Sequence, residues 1–99
     1  MPDNSIQWTE RALNEYDLLV AYLWEEWGEN ITVKVSKKID QSVLRLKQSP
    51  EQFPIINQDK RIQRCVVSNQ TSIFFTISND SIIILSLFDH RQDPQKKNL

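Results

Sequence analysis

At 99 residues the chain fits a single domain spanning 1–99, with a modest core and marginal stability. Apolar residues make up 39% and charged residues 25%, ordinary for a globular protein and too apolar for a disordered one. The one cysteine, Cys65, rules out an intramolecular disulfide, so the fold must rest on packing. No apolar run approaches the ~20 residues of a membrane span, and no membrane role is expected. Met1–Asn4 lacks the basic-then-apolar order of a secretory signal, so a cytoplasmic setting is expected.

The net charge of -1 hides an uneven distribution. Between Glu10 and Glu29 six acidic residues face Arg11 alone, whereas eight basic residues lie between Lys34 and Arg64. Either two solvated helix faces or a basic surface for nucleic acid, ribosome or an acidic peptide would produce this asymmetry.

Ser5–Trp8 alternates polar and apolar residues and predicts a short strand with Ile6 and Trp8 inward. Thr9 offers a capping hydroxyl. Leu13, Tyr16, Val20, Leu23 and Trp27 then recur at helical spacing, with Leu19 and Trp24 widening the stripe. Gly28, the only glycine, follows the last periodic residue as a left-handed C-cap would. The first helix is thus predicted over Glu10–Trp27. A Gly28-Glu29-Asn30 link leads to a second helix capped by Asn30 or Thr32. That helix carries Val35, Ile39, Val43 and Leu46 on one side and stops at Ser49-Pro50.

Residues 51–60 read as a loop. Beyond them the period changes to two, predicting strands over 62–68, 71–77 and 81–88. Asn69-Gln70 and Asn79-Asp80 serve as two-residue turns, since Asn and Asp tolerate positive φ. Ile82–Leu85 is apolar on both faces, as in an interior strand. Gln92–Leu99 reads as a polar, frayed tail. The expected fold class is α+β: an N-terminal strand, then an antiparallel αα-hairpin packed on one face of an antiparallel sheet, in the order β-α-α-β-β-β. The first strand should lie at an edge or beside the last strand.

Several fragments, in this order, carry a family likeness. Trp8-Thr9-Glu10-Arg11-Ala12 leads from strand to helix, and Tyr22-Leu23-Trp24 with Trp27-Gly28 closes the first helix. Ile39–Leu46 with Ser49-Pro50 ends the second. Arg64-Cys65-Val66-Val67 and Ser72-Ile73-Phe74-Phe75 open the sheet. Ile83-Ile84-Leu85 followed by Phe88-Asp89-His90-Arg91-Gln92-Asp93-Pro94 matches an apolar strand with an R-x-x-P end. Together they resemble the RelE/ParE toxin superfamily over nearly the whole chain, the ParE-like branch in particular. The resemblance implies a toxin of a type II toxin–antitoxin system, of the plasmid-stabilisation kind, neutralised by a cognate antitoxin and commonly heterotetrameric with it. ParE-like members are expected to poison DNA gyrase, and RelE-like members to cut mRNA on the ribosome; a third alternative is a module that keeps the fold without toxicity.

Ribonuclease chemistry needs a base, an acid and cations around the phosphate. Arg64, His90 and Arg91 are the catalytic candidates, with Lys60 and Arg61 nearby. The RelE-like pattern also has a tyrosine or similar group after the last strand, which Gln92–Leu99 lacks, so a non-enzymatic binding role is favoured. Arg61, Arg64, Arg91, Trp24 and Phe88 are the candidate contacts to target or antitoxin. For Arg91 a local ion pair with Asp89 or Asp93 stands beside that role. Trp27, on the stripe, is expected in the core and Trp24, at its margin, partly exposed. Cys65 is expected to be buried. No cofactor is expected, and one histidine with one cysteine does not make a metal site.

Overall fold

The computed structural model describes residues 5–92. The chain runs β1 (Ser5–Trp8), α1 (Glu10–Trp27), α2 (Glu29–Gln48), a 3-10 turn (Pro50–Gln52), β2 (Ile55–Asn57), β3 (Ile62–Val66), β4 (Thr71–Ser78), β5 (Ser81–Asp89) and a 3-10 turn (His90–Gln92). One sheet holds all five strands in the order β1-β5-β4-β3-β2. β1 pairs with β5 in parallel and the other pairs are antiparallel, so the sheet is mixed. The first strand therefore takes both expected places, at an edge and beside the last strand.

Both helices start and stop for local reasons. The Thr9 hydroxyl accepts from the Ala12 amide at 3.1 Å and fills one orphan donor of α1. Gly28 separates α1 from α2 alone, so the expected three-residue link does not exist and α2 starts at Glu29, ahead of both expected caps. Its φ of +85° is positive as expected, but its ψ of 175° is extended, unlike the left-handed cap. That turn reverses the chain in one residue. α2 ends at Gln48, before Ser49-Pro50, as predicted.

The hairpin covers one face of the sheet. Ala12, Leu19 and Leu23 of α1 and Val35, Ile39 and Leu46 of α2 meet Cys65, Ile73, Phe75, Ile82, Ile84 and Leu87. Each large side chain here gains roughly 1.5–3 kcal/mol from burial. Phe75 is fully buried and meets Phe53 edge-on at 5.9 Å, so Phe75→Ala should cost about 3–5 kcal/mol. The α1 stripe departs from expectation. Trp27 is 51% exposed rather than in the core, and Leu13 is 50% exposed. Seven apolar positions span a wider arc than one sheet face covers, and the face that is covered carries the fully buried Ala12. Trp24, 56% exposed, and the buried Cys65 match expectation.

Ile55–Asn57 forms a strand within the expected loop. It is three residues long and pairs irregularly with β3, so it has no periodic signature of its own. The connection between β3 and β4 is also longer than the expected two residues, because Val67 and Ser68 both donate to the Thr71 carbonyl. Asn79-Asp80 is the predicted two-residue turn, with Asn79 at φ +56°. Of the predicted tail only Gln92 is described, in the final 3-10 turn; residues 93–99, Asp93 included, lie outside the described residues.

Candidate functional site: the open sheet face

The hairpin leaves the second sheet face uncovered. Cross-strand register places Val66, Ser72 and Phe88 in one row of that face and Arg64, Phe74 and Ser86 in the next. Arg64 is exposed, and its Nε donates to Ser72 Oγ at 3.2 Å, which holds the guanidinium along the sheet. A shallow groove of about 590 Å³ runs along this face, walled by Ile56, Ile62, Phe74, Leu85 and Phe88, with Arg11 at its rim. Phe88 is 40% exposed and His90 packs edge-on against it at 5.1 Å. Such a surface combines apolar area with planar cations able to grip carboxylate or phosphate.

Local structure explains the rim. β1 pairs only with Ser81–Ile84, so the later half of β5 has no strand on that side. A bulge falls there, since Phe74 opposes Ser86 while Phe75 opposes Ile84, leaving Leu85 as the extra residue. α1 begins at this gap. The Thr9 hydroxyl donates to the Leu85 carbonyl at 3.2 Å, and Glu15 Oε1 accepts from the Leu87 amide at 3.0 Å and from Ser86 Oγ at 2.8 Å. Glu15 thus takes the place of the missing strand, and Arg11 Nε pairs with its other oxygen at 3.3 Å.

The structure divides the candidates named from sequence. Arg64 and Phe88 share the open face, with His90 beside Phe88. Arg61 is exposed at φ +56° in the turn before β3, and Lys60 in the same turn donates its amide to the Asn57 side chain. Trp24 lies on the outside of the helical hairpin, across the molecule from the open face. Arg91, named from sequence as a candidate contact, folds back, with its side chain only 16% exposed. Its Nε and Nη2 donate to the two oxygens of the fully buried Asp89 carboxylate at 3.0 and 2.8 Å. Thr71 donates to the same carboxylate at 2.7 Å, and Tyr22 donates to the Arg91 carbonyl at 2.8 Å. Burial alone would push the Asp89 carboxyl up, but hydrogen bonds from Arg91 and Thr71 and the guanidinium charge hold it below the usual range. Of the two arrangements open for Arg91, the ion pair with Asp89 is present.

Sequence reasoning missed Glu15 and Gln63. The Gln63 side chain is buried and donates to the Pro50 and Phe53 carbonyls at 2.8 and 2.9 Å, tying β3 to the 3-10 turn. Neither had a local signal, because their partners are distant in sequence. Burial pushes the Cys65 thiol up, which leaves it a poor nucleophile. No group of three or more His, Cys, Asp or Glu among the described residues could hold a metal.

Solved toxin structures share this fold. The ParDE structure from Pseudomonas aeruginosa superposes with a TM-score of 0.75 at 19% identity, covering 87% of this chain and 95% of the other. A YoeB/ParE toxin from Agrobacterium tumefaciens gives 0.62 at 12%, covering 87% and 98%. A copper-bound mutant toxin from Helicobacter pylori gives 0.57 at 14%, covering 91% and 98%. No curated protein matches the chain by sequence. These likenesses establish the toxin fold. The family model for the ParE toxin of type II toxin–antitoxin systems, parDE, matches residues 6–94, and the chain belongs to that family.

Proposed function

We propose that this toxin arrests growth by gripping a macromolecular target such as DNA gyrase with its open sheet face, in the cytoplasm, until a cognate antitoxin neutralises it. The observation that carries this reading is the composition of that face. Among the described residues it offers Arg64, Phe88 and an apolar groove, which suit binding, but no proton-transfer pair. Both tyrosines are engaged elsewhere, Tyr16 with Ser36 and Tyr22 with the Arg91 carbonyl. His90 packs on Phe88, and the Arg91 guanidinium is held by Asp89. A general base and acid flanking one phosphate, which RNA cleavage requires, is not assembled by these groups. Stable inheritance of a plasmid carrying the gene pair would follow from such an activity.

The test compares purified toxin in two assays. Gyrase-dependent DNA breaks or loss of supercoiling, relieved by the antitoxin, support the proposal. Codon-dependent mRNA cuts in a translation extract that vanish in Arg64→Ala would overturn it in favour of a RelE-like ribonuclease. Unchanged growth on expression without a partner would leave a non-toxic binding module.

A further inference from the structure

We propose that a partly open cavity between α2 and the β3–β4 connection binds a phosphate group. The cavity measures about 130 Å³, and α2 lines it with Ile31, Lys34, Val35 and Lys38. Those positions recur at helical spacing, so one stripe of α2 supplies them all. The β3–β4 connection adds Val67, Ser68 and Gln70, and the final 3-10 turn adds Arg91. Lys34 and Lys38 are exposed and make no ion pair or hydrogen bond among the described residues. Set four residues apart on one helix face, their ammonium groups repel each other. Asp89 occupies Nε and Nη2 of Arg91, whereas Nη1 donates to nothing among the described residues. Asp89 also cancels the Arg91 charge, and no carboxylate lines the cavity itself, so both lysine charges stand uncompensated.

Walls and donors together select the ligand. Ile31, Val35 and Val67 are low-dielectric surfaces, and such walls concentrate the field of a one-sign cluster on the space between them. An anion is therefore drawn in. The donors stand on separate elements: ammonium groups on α2, the guanidinium end on the 3-10 turn, the Ser68 hydroxyl and the Gln70 side-chain amide on the connection. A planar carboxylate turns both oxygens one way, whereas a tetrahedral phosphate carries oxygens toward several sides at once. A cavity of ~150 Å³ holds a molecule the size of benzene, so this one admits a phosphate but not a nucleoside attached to it. The contact is thus blind to base sequence. Neither His90 nor a tyrosine lines the cavity, so it holds the phosphate without cleaving it. It lies on the helix side of the sheet, apart from Arg64 and Phe88, and the proposal is independent of what the open face grips.

Titration of the full chain with inorganic phosphate at constant ionic strength, followed by amide NMR shifts, tests it. The shifts should saturate and map to residues 31–38 and 67–71, and acetate should bind with about a tenth of the affinity or less. Lys34→Gln and Lys38→Gln should each weaken phosphate about tenfold, the worth of one charge-assisted hydrogen bond. Their exposed positions permit an unchanged circular dichroism spectrum. Adenosine monophosphate and a short single-stranded oligonucleotide separate the sources. Tighter binding of the mononucleotide assigns a terminal phosphate, and tighter binding of the oligonucleotide a backbone phosphate. Shifts that never saturate would overturn the proposal. So would equal binding of acetate, or phosphate binding that survives both lysine substitutions.

Discussion

Arg91 and Asp89 form a two-pronged ion pair at the end of β5, with Nε–Oδ1 at 3.0 Å and Nη2–Oδ2 at 2.8 Å around a carboxylate fully shielded from water. The pair fastens the chain's exit from the sheet to Thr71 of β4. Removing the cation strands a buried charge, so Arg91→Ala should lose about 3–5 kcal/mol in urea unfolding. Arg91→Lys keeps the charge but cannot span both oxygens, so it should lose less than the alanine variant. Equal losses would show that the fork contributes nothing beyond charge.

The same pair sets an acid limit. The Asp89 carboxyl is held below its ordinary value, so the unfolded chain takes up that proton first as pH falls. Stability from this group is complete above the unfolded value of ~3.9 and is lost as pH drops through the lower folded value. Unfolding free energy should therefore fall steeply below about pH 4, and Asp89→Asn should flatten that fall while lowering stability at neutral pH. An unchanged acid profile in Asp89→Asn would assign the acid sensitivity to other carboxyls.

Elements written in local periodicity were legible from sequence. The α1 limits, the stop of α2 at Ser49-Pro50, the Asn79-Asp80 turn and the interior strand through Ile82–Ile84 all follow from neighbours within a few residues. What depends on distant partners was not. β2 exists only by pairing with β3, and Glu15 acts on an amide 72 residues away. The inward fold of Arg91 depends on a pocket built by β4 and β5. Arg64 and Phe88 were named as candidate contacts for their chemistry, and strand pairing is what brings them to one face. Trp24 was grouped with them for its chemistry alone, and the fold separates it from them.

Gly28 gives a backbone test. Its φ of +85° with ψ of 175° belongs to a region that side chains disfavour, yet an added Cβ would meet nothing within 4 Å. Gly28→Ala should thus cost about 1–3 kcal/mol through conformation alone. Asparagine, which rescues left-handed positions, should recover little, because the extended ψ lies outside that well. Thermal melts of the two variants should nearly coincide, and a clear rescue by asparagine would show that the turn relaxes to a left-handed cap.

Gln63 gives a test of buried polar chemistry. Gln63→Leu keeps the volume but removes the Gln63 donor from both carbonyls, and while Pro50 still accepts from the Phe53 amide at 3.4 Å, the Phe53 carbonyl loses its partner. An orphaned buried acceptor costs about 1–3 kcal/mol, so the variant should unfold at lower urea with an unchanged slope. Exchange of the Arg64 amide, which donates to the Pro54 carbonyl at 3.0 Å, should speed up in parallel. Unaltered exchange there would mean that the 3-10 turn is held by other contacts.

The open face separates binding from stability. The exposed Arg64 side chain makes a single hydrogen bond, part-buried, to Ser72, and Phe88 is 40% exposed, so alanine at either position should change stability by about 1 kcal/mol at most. If this face grips the target, each substitution removes a central contact of the kind that carries 2 kcal/mol or more, a roughly 30-fold loss of affinity. Growth arrest should then disappear while the melting temperature stays within a few degrees of the parent. Arg91→Ala should show the reverse order, with toxicity falling only in proportion to the folded fraction. Toxicity that persists in the Arg64→Ala, Phe88→Ala double variant would move the target contact off the sheet.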